Sequence, residues 1–97
     1  MKIVFSNQEL PNSISKSLFL AGPSIRDYTQ KDWRHDALEL LEKMDYTGTV
    51  FVPIPDVVFY GKSPLKTGDY NTQISWEQSA RAMADIIVFW IPRDIKN

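Results

Sequence analysis

The chain has 97 residues, with 11 Lys and Arg against 12 Asp and Glu and a formal charge of -1. That is one small domain with too weak a field to be built around a nucleic-acid backbone. The absence of cysteine and the single histidine exclude disulfides, thiolate metal sites and a multi-histidine metal centre, and 43% hydrophobic content excludes a disordered chain.

In chain order, Lys2 to Phe5 is a candidate peripheral strand that exits through Pro11-Asn12-Ser13. No long apolar segment follows the early Lys2, so no secretory leader is expected. Three stronger runs follow: Leu18-Phe19-Leu20-Ala21 before Gly22-Pro23, Val50-Phe51-Val52 before Pro53, and Ile86-Ile87-Val88-Phe89-Trp90-Ile91 before Pro92. Each is apolar at consecutive positions, rich in β-branched or aromatic residues, and closed by a breaker. That is the signature of a strand buried on both faces. The longest run, Ile86 to Ile91, falls far short of the ~20 residues that span a bilayer, so a cytoplasmic protein with no membrane partner is expected.

Between the first two runs, Trp33, Ala37, Leu40, Leu41 and Met44 share one arc of a helical wheel. His35, Asp36, Glu39, Glu42 and Lys43 lie opposite, which reads His35 as solvent-facing. Thr29 with Asp32 resembles a capping box, and Gly48 is placed to end the connection before the next strand. A second helix precedes the third run: Trp76, Ser79, Ala80 and Met83 share an arc, Glu77 and Arg81 form an i,i+4 pair, and Asn71 or Thr72 is the expected N-cap. The order β-α-β-loop-α-β predicts an α/β fold, a parallel sheet of three core strands with flanking helices. The connection from Pro53 to Asp69 is long enough to suggest a functional loop.

Ligands of open parallel sheets bind beyond the carboxyl ends of the strands, where strand order reverses. Those ends are Gly22-Pro23-Ser24, Pro53-Ile54-Pro55 and Pro92-Arg93-Asp94. If the first core strand lies between the other two, the pocket is lined by Gly22 to Arg26 and Pro92 to Asp94. Gly22 would let a ligand approach the backbone, although a tight turn explains it equally. The lone glycine forms no dinucleotide or triphosphate fingerprint. Tyr28, Phe59, Tyr60, Tyr70 and Trp76 could present flat rings to a planar ligand, or serve as core and loop cover. Asp69, Glu77 and Asp94 are carboxylates that could converge there; paired carboxylates are the minimal kit for breaking a glycosidic bond. Each also reads as a cap, a helix pair or a loop charge.

Taken in order, Ser17-Leu18-Phe19-Leu20-Ala21-Gly22-Pro23, Trp33-Arg34, Val50-Phe51-Val52-Pro53, Tyr70-Asn71-Thr72-Gln73-Ile74-Ser75-Trp76-Glu77 and Met83 through Asp94 resemble the nucleoside 2-deoxyribosyltransferase-like family. The resemblance runs from about residue 17 to 97 and matches the N-terminal two-thirds of a family domain. It implies a flavodoxin-like, Rossmann-like fold and retaining N-glycosyl transfer, in which a carboxylate attacks the anomeric carbon and a second base or water resolves the ester. It further implies no cofactor and no metal, a small-molecule nucleoside or nucleotide partner, no nucleic-acid polymer, and a homo-oligomer. Gly22, Pro23, Ser24, Tyr70, Gln73, Trp76 and Arg93 become the substrate-binding candidates, and Glu77 and Asp94 the catalytic ones.

The family's nucleophilic glutamate follows the third core strand, in a T-x-x-E-x-G-like element. The glutamates here are Glu9, Glu39, Glu42 and Glu77, and none follows Pro92. The expectation is therefore an incomplete domain whose third core strand has one uncovered edge. Its reaction would need a carboxylate from elsewhere. The alternatives are a non-catalytic nucleoside- or nucleotide-binding module and an inactive remnant.

Overall fold

The apolar runs are strands of one parallel sheet. The computed structural model describes residues 1–12, 16–22, 32–61 and 70–90, with the backbone alone for 70 and 71. Its elements are β1 (Lys2–Phe5), β2 (Ser17–Ala21), α1 (Trp33–Lys43), β3 (Thr49–Val52), α2 (Asp56–Phe59), α3 (Tyr70–Met83) and β4 (Ile86–Phe89). The strand order is β1-β3-β2-β4, every pair parallel, with Phe19 opposite Phe51 on one side and Ile87 on the other. β2 lies between β3 and β4, which meets the condition for a strand-order reversal between β2 and β4.

The sheet has four strands rather than three. Lys2–Phe5 pairs along its whole length with β3, and Val4 and Phe5 are both buried. The strand ends because its exit folds back on itself: the Phe5 amide donates to Gln8 Oε1 at 2.9 Å and the Gln8 amide to the Phe5 carbonyl at 3.0 Å.

Alternate side chains enter two cores. Phe5, Leu20, Val50, Val52 and Ile54 meet Leu38 of α1 and Val58 and Phe59 of α2 on one face. Val4, Phe19, Ala21 and Phe51 meet Trp76 and Ala80 of α3 on the other. Helical cover on both faces is why β2 and β3 read as unbroken apolar runs. In contrast, β4 has one strand neighbour among the described residues, and Ile86 and Phe89 are 56% and 70% exposed. Only Val88 of this strand packs against a core. The expectation of burial on both faces is thus corrected for β4, and among the described residues its second edge has no strand partner. The start of β4 is clipped to β2: the Ser17 amide donates to Asp85 Oδ2 at 3.0 Å and the Asp85 amide to Ser17 Oγ at 3.1 Å.

Helix α1 is rotated from its expected setting. Arg34 and Leu38 are its buried residues, with Trp33, Ala37 and Leu41 partly buried, while Leu40 and Met44 are exposed. Arg34 is drawn inward by its hydrogen bonds to Asp32 and to the Leu20 and Gly22 carbonyls, which turns Leu38 in and Leu40 out. The same rotation carries His35 from solvent to a stacked contact on Phe59, ring centroids 3.8 Å apart, with its Nε2 2.9 Å from the Phe59 carbonyl. The N-cap is Asp32, whose carboxylate accepts from the Arg34 amide, so Asp32 does not serve as the far end of a capping box from Thr29. Thr29 lies outside the described residues.

The turn directly after α1 is taken by Asp45, with φ 57°, and Gly48 ends the connection immediately before β3, as expected. Gly48 also answers a close approach: a Cβ there would sit 2.7 Å from the Lys16 carbonyl and against the Tyr46 hydroxyl. The long connection after β3, expected as a loop, contains α2, whose first amide, that of Asp56, donates to Asn7 Oδ1 at 3.0 Å while Asn7 Nδ2 donates to Asp56 Oδ1 at 2.8 Å. Helix α3 begins at Tyr70, so Asn71 and Thr72 lie inside its first turn and neither is the N-cap. On α3, Trp76 and Ala80 are buried as expected but Ser79 is exposed. Among the described residues no helix is long and apolar enough to cross a membrane.

Candidate functional site

Strand order reverses between β2 and β4, because β2 leads through α1 to one neighbour and β3 leads through α3 to the other. The carboxyl ends of these strands meet at Gly22 and Trp90, where the Trp90 amide donates to the Ala21 carbonyl at 3.2 Å. Gly22 has φ 141°, a conformation that side chains resist. A Cβ there would lie 3.0 Å from the Trp90 carbonyl and 3.2–3.3 Å from the Trp33 indole. The protein itself therefore fills part of the space that the bare glycine leaves.

Beneath Gly22 lies an ion pair that sequence reasoning did not place in the site. The side chains of Arg34 and Asp32 are 1% and 2% exposed, 3.0 Å apart. Arg34 NH1 donates to both Asp32 oxygens, Nε donates to the Leu20 carbonyl at 2.9 Å, and NH2 donates to the Gly22 carbonyl at 2.9 Å. Burial pulls the guanidinium below its ordinary value, opposed by Asp32 and, more weakly, by Glu77. The charge-assisted hydrogen bonds from one guanidinium nitrogen to both carboxylate oxygens offset the cost of burying both charges, and the other two nitrogens fix the carbonyls at the exit of β2. The available signal was Asp32-Trp33-Arg34 at a helix start, a capping acid two residues before a base on the inward face.

A second polar chain follows the end of β3. Gln73 Nε2 donates to the Pro53 carbonyl at 3.2 Å and to Glu77 Oε2 at 2.9 Å. Arg81 NH2 donates to Glu77 Oε1 at 3.0 Å, the pair expected from the sequence. Both carboxylate oxygens of Glu77 are thereby engaged, which lowers its nucleophilicity and fixes its orientation.

The expected aromatic cluster is divided. Trp76 belongs to the core: it is buried near Phe19 and Phe51, and its indole N–H donates to the Gln8 carbonyl at 3.0 Å. Phe59 and Tyr60 gather with Phe5 and His35 near β1, on the other face of the sheet. The rings at the β2–β4 end are Trp33 and Trp90, stacked at 5.6 Å and 19°. Pro23, Ser24, Arg26, Tyr28, Asp69, Pro92, Arg93 and Asp94 lie outside the described residues, as does the side chain of Tyr70. Among the described residues no group of three or more His, Cys, Asp or Glu could hold a metal.

Compared with known proteins, residues 15–97 match the family model described as nucleoside 2-deoxyribosyltransferase like. No curated protein and no solved structure matches the chain.

Proposed function

Because the chain belongs to the nucleoside 2-deoxyribosyltransferase-like family, we propose that it binds a (deoxy)nucleoside or its monophosphate at the carboxyl ends of β2 and β4. The observation that carries this reading is the Asp32–Arg34 clamp, which spends two buried charges on holding the Leu20 and Gly22 carbonyls at the strand-order reversal. That is preorganisation where open α/β sheets bind ligands. Gln73 extends the site to the end of β3 through Pro53. Pro23, Ser24, Tyr70 and Arg93 complete the ligand contacts in this reading, and Trp76 supports them from the core.

The chemistry belongs to N-glycosyl transfer or hydrolysis. A free carboxylate would attack C1′, the bond to the base would break, and the base would leave with a proton. Water or a second base would then open the sugar ester. Glu77 is poorly suited to that attack, since Gln73 and Arg81 hold both its oxygens; we assign it a positioning role. These 97 residues bind on this reading without turning substrate over by themselves, and transfer or hydrolysis needs a carboxylate from another chain. A purely binding module is the second reading, favoured by the same engaged Glu77.

Calorimetric titration with the common deoxynucleosides and their monophosphates tests the proposal. Saturable binding of at least one is expected. Heat of dilution alone across the panel would overturn it.

A further inference from the structure

Two side-chain polar atoms among the described residues are buried without a hydrogen-bond partner, Ser6 Oγ and Trp33 Nε1. Ser6 follows β1, the edge strand opposite β4, and so lies away from the β2–β4 ends. The Trp33 indole is held on two sides. It is stacked on Trp90, and the Arg34 guanidinium carbon lies 5.0 Å from its ring centre. Arg34 is itself fixed by Asp32 and two carbonyls. The edge of the indole that bears Nε1 faces Gly22, 3.3 Å from where a Cβ would be. A rigid, dry N–H therefore sits at the strand-order reversal, with no acceptor among the described residues.

Buried donors are unfavourable when unpaired, and native structures pair nearly all of them. Trp76 illustrates the usual outcome, with its N–H on the Gln8 carbonyl. We propose that Trp33 is a ligand-binding residue, its indole N–H donating to a neutral oxygen acceptor of the bound nucleoside, a carbonyl of the base or a hydroxyl of the sugar. This rests on the nucleoside-binding reading above. A neutral acceptor fits because the adjacent Arg34 charge is already balanced by Asp32. Trp33 thus acts through its edge, while the Trp90 stack and the Arg34 contact hold the ring.

The test is a titration of the whole chain followed by its three indole N–H resonances, with the Trp33 signal assigned by its loss in Trp33→Phe. Adding the tightest-binding deoxynucleoside should move the Trp33 indole proton downfield and leave that of Trp76 in place. Trp33→Phe should bind the same nucleoside about 5- to 10-fold more weakly. A parallel loss for the free base puts the acceptor on the base, and a loss for the nucleoside alone puts it on the sugar; both support the proposal. A nucleoside that binds while the Trp33 indole stays put, or that binds Trp33→Phe equally well, overturns this inference and leaves the nucleoside reading intact. No binding by the wild type overturns both. If Trp33→Phe does not fold, the wild-type indole shift decides alone, with the signal assigned by through-space contacts to Trp90.

Discussion

Arg34 reaches across from the first turn of α1 to donate a 2.9 Å hydrogen bond to the carbonyl of Gly22. A helix residue thereby sets the backbone at the end of the neighbouring strand, and with it the geometry of the candidate ligand site. Asp32 makes the contact sustainable, since it both caps α1 and balances the buried guanidinium.

Arg34→Ala should be severely destabilising. It leaves the Asp32 carboxylate buried without its counter-charge and removes the Arg34 hydrogen bonds to the Leu20 and Gly22 carbonyls. The expected loss is about 3–5 kcal/mol, read as a lower midpoint in urea unfolding. Arg34→Lys should recover only part of it, because one ammonium cannot replace the guanidinium fork at three acceptors. Wild-type stability in Arg34→Ala would show that the clamp is idle.

Gly22 and Gly61 give a paired test of backbone strain and crowding. Both have positive φ, 141° and 70°, but a Cβ at Gly61 meets nothing within 4 Å, whereas at Gly22 it meets Trp33 and the Trp90 carbonyl. Gly61→Ala should cost about 1 kcal/mol. Gly22→Ala should cost more, roughly 2–3 kcal/mol, because crowding by Trp33 and the Trp90 carbonyl adds to the strain. Equal losses in thermal melts would mean that the tryptophans yield freely.

Much of this architecture is legible in the sequence, and the limits have physical causes. The runs at Leu18, Val50 and Ile86 announce parallel strands because β2 and β3 feed cores on both faces. The Glu77–Arg81 pair and the Trp76–Ala80 face of α3 follow from helical spacing alone. The setting of α1 does not, because a buried arginine breaks the rule that the inward arc is apolar. That one residue hides Leu38, His35 and the heart of the site at once. Gly22 is legible as special, but the tryptophans that crowd it are 11 and 68 residues away in the chain, and no local pattern announces such contacts.

No base release is expected when the chain is incubated with deoxynucleosides, because Glu77 is held at both oxygens. Chromatography of the free base is the measurement. Turnover that survives both Glu77→Gln and Asp94→Asn would show that the chemistry lies elsewhere.

The chain should self-associate through β4. The strand has one neighbour among the described residues, and Ile86, Ile87, Phe89 and Trp90 are exposed beside it. A free edge with apolar side chains invites a second copy. Sedimentation across a concentration series should show a dimer or larger species, which Ile87→Lys should weaken. A concentration-independent monomer would contradict this.

The most direct measurement is an amide chemical-shift map recorded while a deoxynucleoside is titrated in. The account predicts that the largest shifts cluster at Ala21, Gly22, Phe89 and Trp90, at the carboxyl ends of β2 and β4, while the amides of His35, Phe59 and Tyr60 stay in place. Shifts centred on those last three residues, or none anywhere at saturating nucleoside, would contradict it.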